Sequence, residues 1–225
     1  MASAIRMISS MATRRILQTL IGQYARAEGQ EATLEAIGGV EAARRIRAGE
    51  AFDLVALAAD ALQKLEAEGF VAGARPFARS PMAIAIRSGA PRPDLGDEAA
   101  VKRAVAAAKT VGYSTGPSGN HLLSLLKRWG LDDPARIVQA PPGVPVATLV
   151  ARGDAEIGFQ QMSELLNEAG IEIAGPLPSA IQSITTFAIA IGAHAARPEA
   201  AAALADYIAS PAAESVVREQ GMEPG

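Results

Sequence analysis

The chain has 225 residues, a formal net charge of −3, no cysteine and two histidines. That excludes disulfides, thiolate metal sites and a cysteine nucleophile, leaves too few imidazoles for a histidine-rich metal centre, and with no basic block implies no nucleic acid partner. Apolar residues reach 49% with only 4% aromatic, enough core for one large or two small domains, built from alanine-rich helices on a sheet.

In chain order, Ala4 to Ile8 reads as a short strand. Ser9 and Ser10 then offer natural N-caps for a helix from about Ala12 to Ala27, with Ile16, Leu17, Leu20, Ile21 and Tyr24 on one face. Thr33 to Ile37 is a second strand, followed by Gly38-Gly39-Val40 and a helix to about Ala48. Phe52 to Ala58, apolar except for Asp53, suits a buried parallel strand. Asp60 to Glu68 is the next helix. This βαβαβα order predicts an α/β fold with a parallel sheet.

Pro81 to Arg87 is a further β-type segment, and Asp97 to Ala108 an alanine-rich helix. Lys109 to Tyr113 reads as a strand running into Ser114-Thr115-Gly116-Pro117-Ser118-Gly119-Asn120 and then a leucine-spaced helix to Trp129. This is strand, small-residue loop, helix. A helix start presents unpaired N–H groups to an anion, Thr115 and Ser118 add hydroxyls, and Gly116 and Gly119 let a ligand approach the backbone. An ordinary capped connection is the alternative. It is not a phosphate-binding P-loop, because no Lys-Ser/Thr pair follows the glycines.

Arg136 to Gln139 is a short strand, and Pro141 to Pro145 a loop into a helix from Val146 to Arg152. Ala155 to Phe159 is a strand, after which Gln160-Gln161-Met162-Ser163 opens a helix at Glu164. Ile171 to Ala174 and Thr185 to Ile191 read as strands. Helices at Pro198 to Ala209 and Pro211 to Gly221 finish the chain, each with proline at a favoured first position. Five strand ends therefore break into small, polar or Pro/Gly residues at a helix start. In open α/β sheets ligands bind beyond those ends.

The segment order resembles the type II periplasmic solute-binding fold, and in particular the molybdate-binding protein-like family, in the branch that includes aconitate isomerase. The matching landmarks are Ser9-Ser10, Gly38-Gly39-Val40, Phe52-Asp53-Leu54-Val55 with Ala58-Ala59-Asp60, Val150 to Phe159, Gly175 to Pro178, and Tyr207 to Ala213. The resemblance implies two α/β lobes, residues 1–80 with 186–225 and residues 81–185, with a ligand cleft between them. It implies a small anionic ligand held by hydroxyls and backbone N–H groups: Ser9, Ser10, Met11, Gly38, Gly39 and Val40 from one lobe, and Ser114, Thr115, Gly116, Ser118, Gly119, Val144, Gln160 and Gln161 from the other. Any Val144 contact is expected through its N–H.

Three departures from the molybdate pattern favour a larger ligand with carboxylates. Gly38-Gly39-Val40 stands where the family usually has serine, Gln160-Gln161 stands where a tyrosine is common, and the 114–119 loop is richer in hydroxyls. Arg14, Arg15, Arg44 and Arg45 follow the first-lobe loops by one turn; one of them is placed to reach a second carboxylate, and most are expected to be solvated. No cofactor and no metal are implied. The expected function is a monomeric solute-binding protein with an ABC-transporter permease as partner, periplasmic if a leader was trimmed and otherwise cytoplasmic, since none is visible at Met1 to Arg6. The alternative is a cofactor-free isomerase of an unsaturated polycarboxylate, for which His121 is the weakly placed candidate base. A further alternative is a ligand-sensing domain like those of LysR-type regulators. His121 also reads as a packing residue, and His194 as an exposed turn residue.

Overall fold

The computed structural model describes residues 4–166 and 168–225. Residues 1–3 of the Met1 to Arg6 stretch lie outside them. The backbone forms two compact units, Met1–Ser80 with Thr186–Gly225, and Pro81–Thr185.

The first unit opens with β1 (Ile5–Ser10), a 3-10 turn at Met11–Thr13, α1 (Arg14–Glu28), β2 (Ala32–Ile37), α2 (Gly39–Arg47), β3 (Leu54–Ala58), α3 (Ala59–Ala67) and the first part of β4 (Val71–Arg87). β1 lies between β2 and β3, parallel to both, with Ser10 opposite Ile37 and Ser9 opposite Ala56. The side-chain alternation of a strand then divides the core. Ile5, Met7, Leu54 and Ala56 pack with Ile16, Leu17 and Leu20 of α1. Ile8, Val55 and Leu57 face the other way, onto Ala42 and Ile46 of α2 and Leu62 and Leu65 of α3.

The second unit holds the rest of β4, then α4 (Glu98–Ala107), β5 (Val111–Tyr113), α5 (Pro117–Trp129), β6 (Ile137–Gln139), α6 (Val146–Arg152), β7 (Ile157–Gln161), α7 (Met162–Leu165) and β8 (Ile171–Pro176), ending at the start of β9 (Ile184–Gly192). The Met82–Ile86 part of β4 lies between β7 and β8, antiparallel to both, and β5 runs parallel to β7 and β6. Met82, Ile84, Ile86 and Phe159 pack against Val101 and Val105 of α4 and Leu122, Leu125 and Leu126 of α5. Burying one such side chain contributes roughly 1.5–3 kcal/mol. The chain then returns to the first unit. There the rest of β9 pairs antiparallel with β3 from Leu54–Ile191 to Ala58–Phe187. α8 (Pro198–Ile208), α9 (Glu214–Glu219) and β10 (Glu223–Pro224) follow; Leu204, Ile208 and Val217 complete the α1 side of the core.

Asp53 ties this unit together. It is buried, and its two carboxylate oxygens accept from the backbone N–H groups of Arg6 at 2.8 Å and Arg197 at 2.9 Å. The one polar break in the third strand thus anchors β1 and the residue before α8.

Three expectations change and one short strand is added. Ser9 and Ser10 belong to β1 and cap nothing: Ser9 Oγ donates to the Ser10 carbonyl, and α1 starts only at Arg14 after the 3-10 turn. β4 begins ten residues before Pro81, at Val71. The last helix splits into a 3-10 turn, Pro211–Ala213, and α9. Glu223–Pro224 pairs with Ala78 and Arg79 as a short strand.

Glycine sets how closely α6 approaches the second sheet. Gly112 and Gly158 sit side by side on β5 and β7. A Cβ on Gly158 would lie 2.6 Å from both Val146 Cγ1 and Val150 Cγ2, and one on Gly112 2.9 Å from Ala155 Cβ. Gly158→Ala should therefore cost about 1–3 kcal/mol through overpacking. Gly116→Ala, whose Cβ meets only Ser114 Oγ at 3.8 Å, should cost much less. Urea denaturation of the two variants checks the contrast.

Candidate functional site

The parallel register brings the carboxyl ends of β1 and β2 out together. Ser10 faces Ile37, so Gly38 and Gly39 emerge beside it, and a Cβ on Gly39 would lie 3.8 Å from Ser10 Cβ. No side chain caps α2 at Gly38, and its first entering backbone bond is from Ala42 N–H to the Gly38 carbonyl at 2.9 Å. The N–H groups of Gly39, Val40 and Glu41 therefore have no partner within the helix. Gly38 has no atom within 4 Å of a Cβ position, and Val40 is 70% exposed. Ser9 and Ser10 are buried, Ser10 Oγ lying 3.5 Å from Thr13 Oγ1, and Met11 is half-buried.

Arginine is largely spent elsewhere in this unit. Arg44 pairs with Glu41 at 2.6 Å, and Arg45 clamps Glu35 and Glu50. These hydrogen bonds hold the three carboxyls below the usual carboxylate range. Neither guanidinium is an open ligand contact. Arg14, in the first turn of α1, is half-buried and has no acidic partner among the described residues.

In the second unit α5 begins at Gly116, again without a capping side chain, and Pro117 occupies its first turn. Thr115 is exposed and Gly116 and Ser114 are half-buried. Ser118 is buried, with its hydroxyl 3.1 Å from Ser114 Oγ. The N–H groups of Gly119 and Asn120 both go to the Gly116 carbonyl. Gly119 has a packing reason to be glycine, because a Cβ there would sit 1.7 Å from the Ser114 carbonyl oxygen. Only Gly116 keeps the openness that both glycines suggested. The Val144 N–H is likewise engaged, donating to the Pro141 carbonyl at 3.0 Å.

The two glutamines at the end of β7 separate sharply. Gln160 is buried and fully used: Oε1 accepts from the Val146 N–H at 2.8 Å and Nε2 donates to Glu164 Oε1 at 2.8 Å. It fastens the start of α6 to α7 and is not an open donor. Gln161, equally buried, has Nε2 on Thr185 Oγ1 at 2.6 Å, while Oε1 has no partner. Thr185 can donate or accept, so the amide fits either way round and its unpartnered end is a carbonyl or an NH2. Ser163 Oγ, two residues on, is also buried and unpartnered. His121 is held by the chain: its Nε2 lies 2.8 Å from the Ile181 carbonyl. His194 is exposed.

Glu164, which with Asp53 and Asp60 forms no obvious acid/base pair in the sequence, is singled out by its surroundings. It sits half-buried in the first turn of α7, where its signal was that of an ordinary first-turn carboxylate. Desolvation pushes its pKa up to about 7, offset in part by the hydrogen bond from Gln160. Thr185 was missed because its partner, Gln161, is 24 residues away in sequence. No group of three or more His, Asp or Glu side chains able to hold a metal ion occurs among the described residues. No helix among them is long and apolar enough to cross a membrane.

A mixed α/β chain of two units, with open donors at strand ends, is the architecture of the two-lobed periplasmic binding proteins. The chain belongs to the family of bacterial extracellular solute-binding proteins, whose model matches residues 5–223. It is 38% identical over 187 residues to an aconitate isomerase from a Pseudomonas species, covering 80% of this chain and 70% of that protein. Its fold is similar to that of the Azotobacter vinelandii periplasmic molybdate-binding protein, with TM-score 0.80 at 19% identity over 97% of this chain and 98% of that one. A tungstate ABC transporter structure from Geobacter sulfurreducens gives TM-score 0.77 at 18% identity, over 96% and 98%.

A carboxyl raised in the folded state makes folding depend on pH in a definite direction. Between its ordinary value of 4.5 and about 7, folded Glu164 retains a proton that the unfolded chain has lost, so its contribution to stability falls as pH rises through that window. Glu164→Gln mimics the neutral form. It should match the parent below about pH 4.5 and be more stable above pH 7, with a ceiling of about 3 kcal/mol. Denaturation at pH 4.5 and pH 8 measures the difference, in which the other carboxylates cancel.

Proposed function

We propose that this protein captures a small organic anion carrying more than one carboxylate, using uncharged donors at the carboxyl ends of its strands. The observation that carries the reading is the pair of helix starts with an open glycine at the cap, at Gly38–Gly39 and at Gly116, each beside a serine or threonine hydroxyl. A glycine cap forgoes only roughly a few tenths of a kcal/mol against a serine or aspartate cap, and the helix start offers N–H groups and a partial positive charge to an anion. Ser10, Gly39, Val40, Thr115, Gly116 and Gln161 are the proposed contacts. Ser9, Ser118 and Gly119 shape the loops, and Gln160 and Val144 are internal supports.

Carboxylates suit this set better than a bare tetrahedral oxyanion. The loops present donors on separate segments, and the Gln161 amide offers a planar hydrogen-bonding edge. As a member of a solute-binding family the protein would deliver its ligand to an ABC-transporter permease. That role entails export, and the periplasm is the compartment we assign to it.

A second reading has its own support. The 38% identity to an aconitate isomerase favours an isomerase acting on an unsaturated polycarboxylate with no cofactor. Both readings require the same ligand class and differ in whether a proton moves.

A thermal-shift series with molybdate, tungstate, sulfate, and di- and tricarboxylates tests the binding reading. A tricarboxylate at a hundred times its Kd should stabilise the protein by about 2.7 kcal/mol, with the inorganic oxyanions giving less. No shift with any carboxylate would sink it. Thr115→Val should weaken binding by about 0.5–1.5 kcal/mol, the worth of one hydrogen bond, without changing the stability of the free protein. Calorimetric titration reads both proteins.

A further inference from the structure

We propose that Glu164 is the proton carrier of this protein, taking a proton from a carbon beside a carboxylate of the bound ligand and returning it to another. The inference rests on the ligand class proposed above and adds the residue that would do chemistry on it.

The segment from Gln160 to Glu164 concentrates unresolved polarity. Gln161 Oε1 and Ser163 Oγ are buried without partners among the described residues, although nearly all buried polar atoms in folded proteins are paired. Next to them, Glu164 has one hydrogen-bond partner among the described residues, the Gln160 amide, and no cation among them. It is only half-buried, so part of its surface stays open. A structural carboxylate in such surroundings would normally be paired with an arginine or lysine. The segments packed against α7 are β4, β7, β8 and α6. Their charged residues are Arg75, Arg79, Arg87, Glu172 and Arg152, with Glu168 just beyond α7, and none of these charges enters into the Glu164 shift. Desolvation alone raises it, toward a value that lets one carboxyl both accept and donate a proton near neutral pH. Gln160, itself fixed by the Val146 N–H, holds that carboxyl in place.

The substrate class is an unsaturated polycarboxylate with a CH2 between an alkene carbon and a carboxylate. Ionised Glu164 takes one CH2 proton. The C–H electron pair becomes the new C=C bond as the old one opens toward its far carbon, and the charge in transit spreads onto a carboxylate oxygen. The Gln161 amide, with its NH2 end turned to that oxygen, stabilises it. Neutral Glu164 then delivers the proton to the far alkene carbon. One C–H bond breaks and one forms, the double bond moves by one position, and no oxidant or reductant is consumed. His121 is unsuited to this task because the Ile181 carbonyl occupies its Nε2.

The test incubates the parent, Glu164→Gln and Glu164→Asp with cis- and trans-aconitate in D2O. Proton NMR follows isomer ratio and deuterium uptake, with thermal shift and far-UV circular dichroism in parallel. The parent should incorporate deuterium with a rate that inflects near pH 7. Glu164→Gln should fold and show a ligand-induced shift but exchange at least about a hundredfold more slowly, and Glu164→Asp should keep measurable exchange. Exchange undiminished in Glu164→Gln overturns the assignment. So does a parent that is stabilised by either ligand but incorporates no deuterium. A parent that neither ligand stabilises fails the binding reading first, and the assignment falls with it.

Discussion

The feature on which the first unit depends is the parallel register of β1 with β2 and β3. Parallel strands send their carboxyl ends to one edge, and here the pairing of Ser10 with Ile37 puts a serine hydroxyl beside the open start of α2. The same logic in the second unit places the end of β7 in line with that of β5, Tyr113 opposite Phe159. Everything chemically notable in either unit lies just past such an end. Among the described residues only one α-helix carries a side-chain cap. Asp97 accepts from the Ala100 N–H at 2.7 Å and closes the start of α4. What sets α2 and α5 apart is the open glycine at each start, Gly38 and Gly116.

Charge is handled so that these openings stay electrically simple. Arg44 and Arg45 are neutralised by Glu41, Glu35 and Glu50, and Arg6 and Arg45 stack on Phe52. Asp53 is satisfied by two backbone N–H groups. Hydrogen-bond donors without formal charge then dominate the strand ends. They select by geometry, because each must be met by an acceptor in the right direction, and a bulk positive field would not discriminate in that way. Arg14 is the exception: a cation in the first turn of α1, opposed by the helix dipole.

Much of this architecture could be read from the residues. The Ile16, Leu17, Leu20, Ile21, Tyr24 stripe is the buried face of α1, and Val146–Arg152 is a helix with the bounds its flanking Pro145 and Gly153 suggest. Periodicity and punctuation report such elements directly. They failed at Val71–Ser80, where Gly73, Arg75, Pro76 and Arg79 interrupt the apolar pattern and yet the backbone continues as β4. Site chemistry was less legible because it depends on partners remote in sequence. Gly116 and Gly119 look equivalent on paper, but only Gly119 faces a carbonyl. Gln160 and Gln161 look like one motif, but one is consumed by Val146 and Glu164 and the other keeps a free end.

The cost of the β7–α7 junction argues that its composition is functional. Each buried polar atom left unpaired costs roughly 1–3 kcal/mol, and a desolvated carboxyl without a cation adds to that above neutral pH. An apolar residue at Gln161 or Ser163, and a smaller neutral one at Glu164, would remove these penalties with little change in volume. Gln160 would then need only its bond to Val146. Three departures from that cheaper solution, at Gln161, Ser163 and Glu164, fall in a segment whose neighbours Phe159 and Leu165 are packed without compromise. That contrast separates this segment from loosely built surface. The polarity is held in place by a well-packed frame, which is the arrangement a site requires if its groups are to wait in position for a ligand.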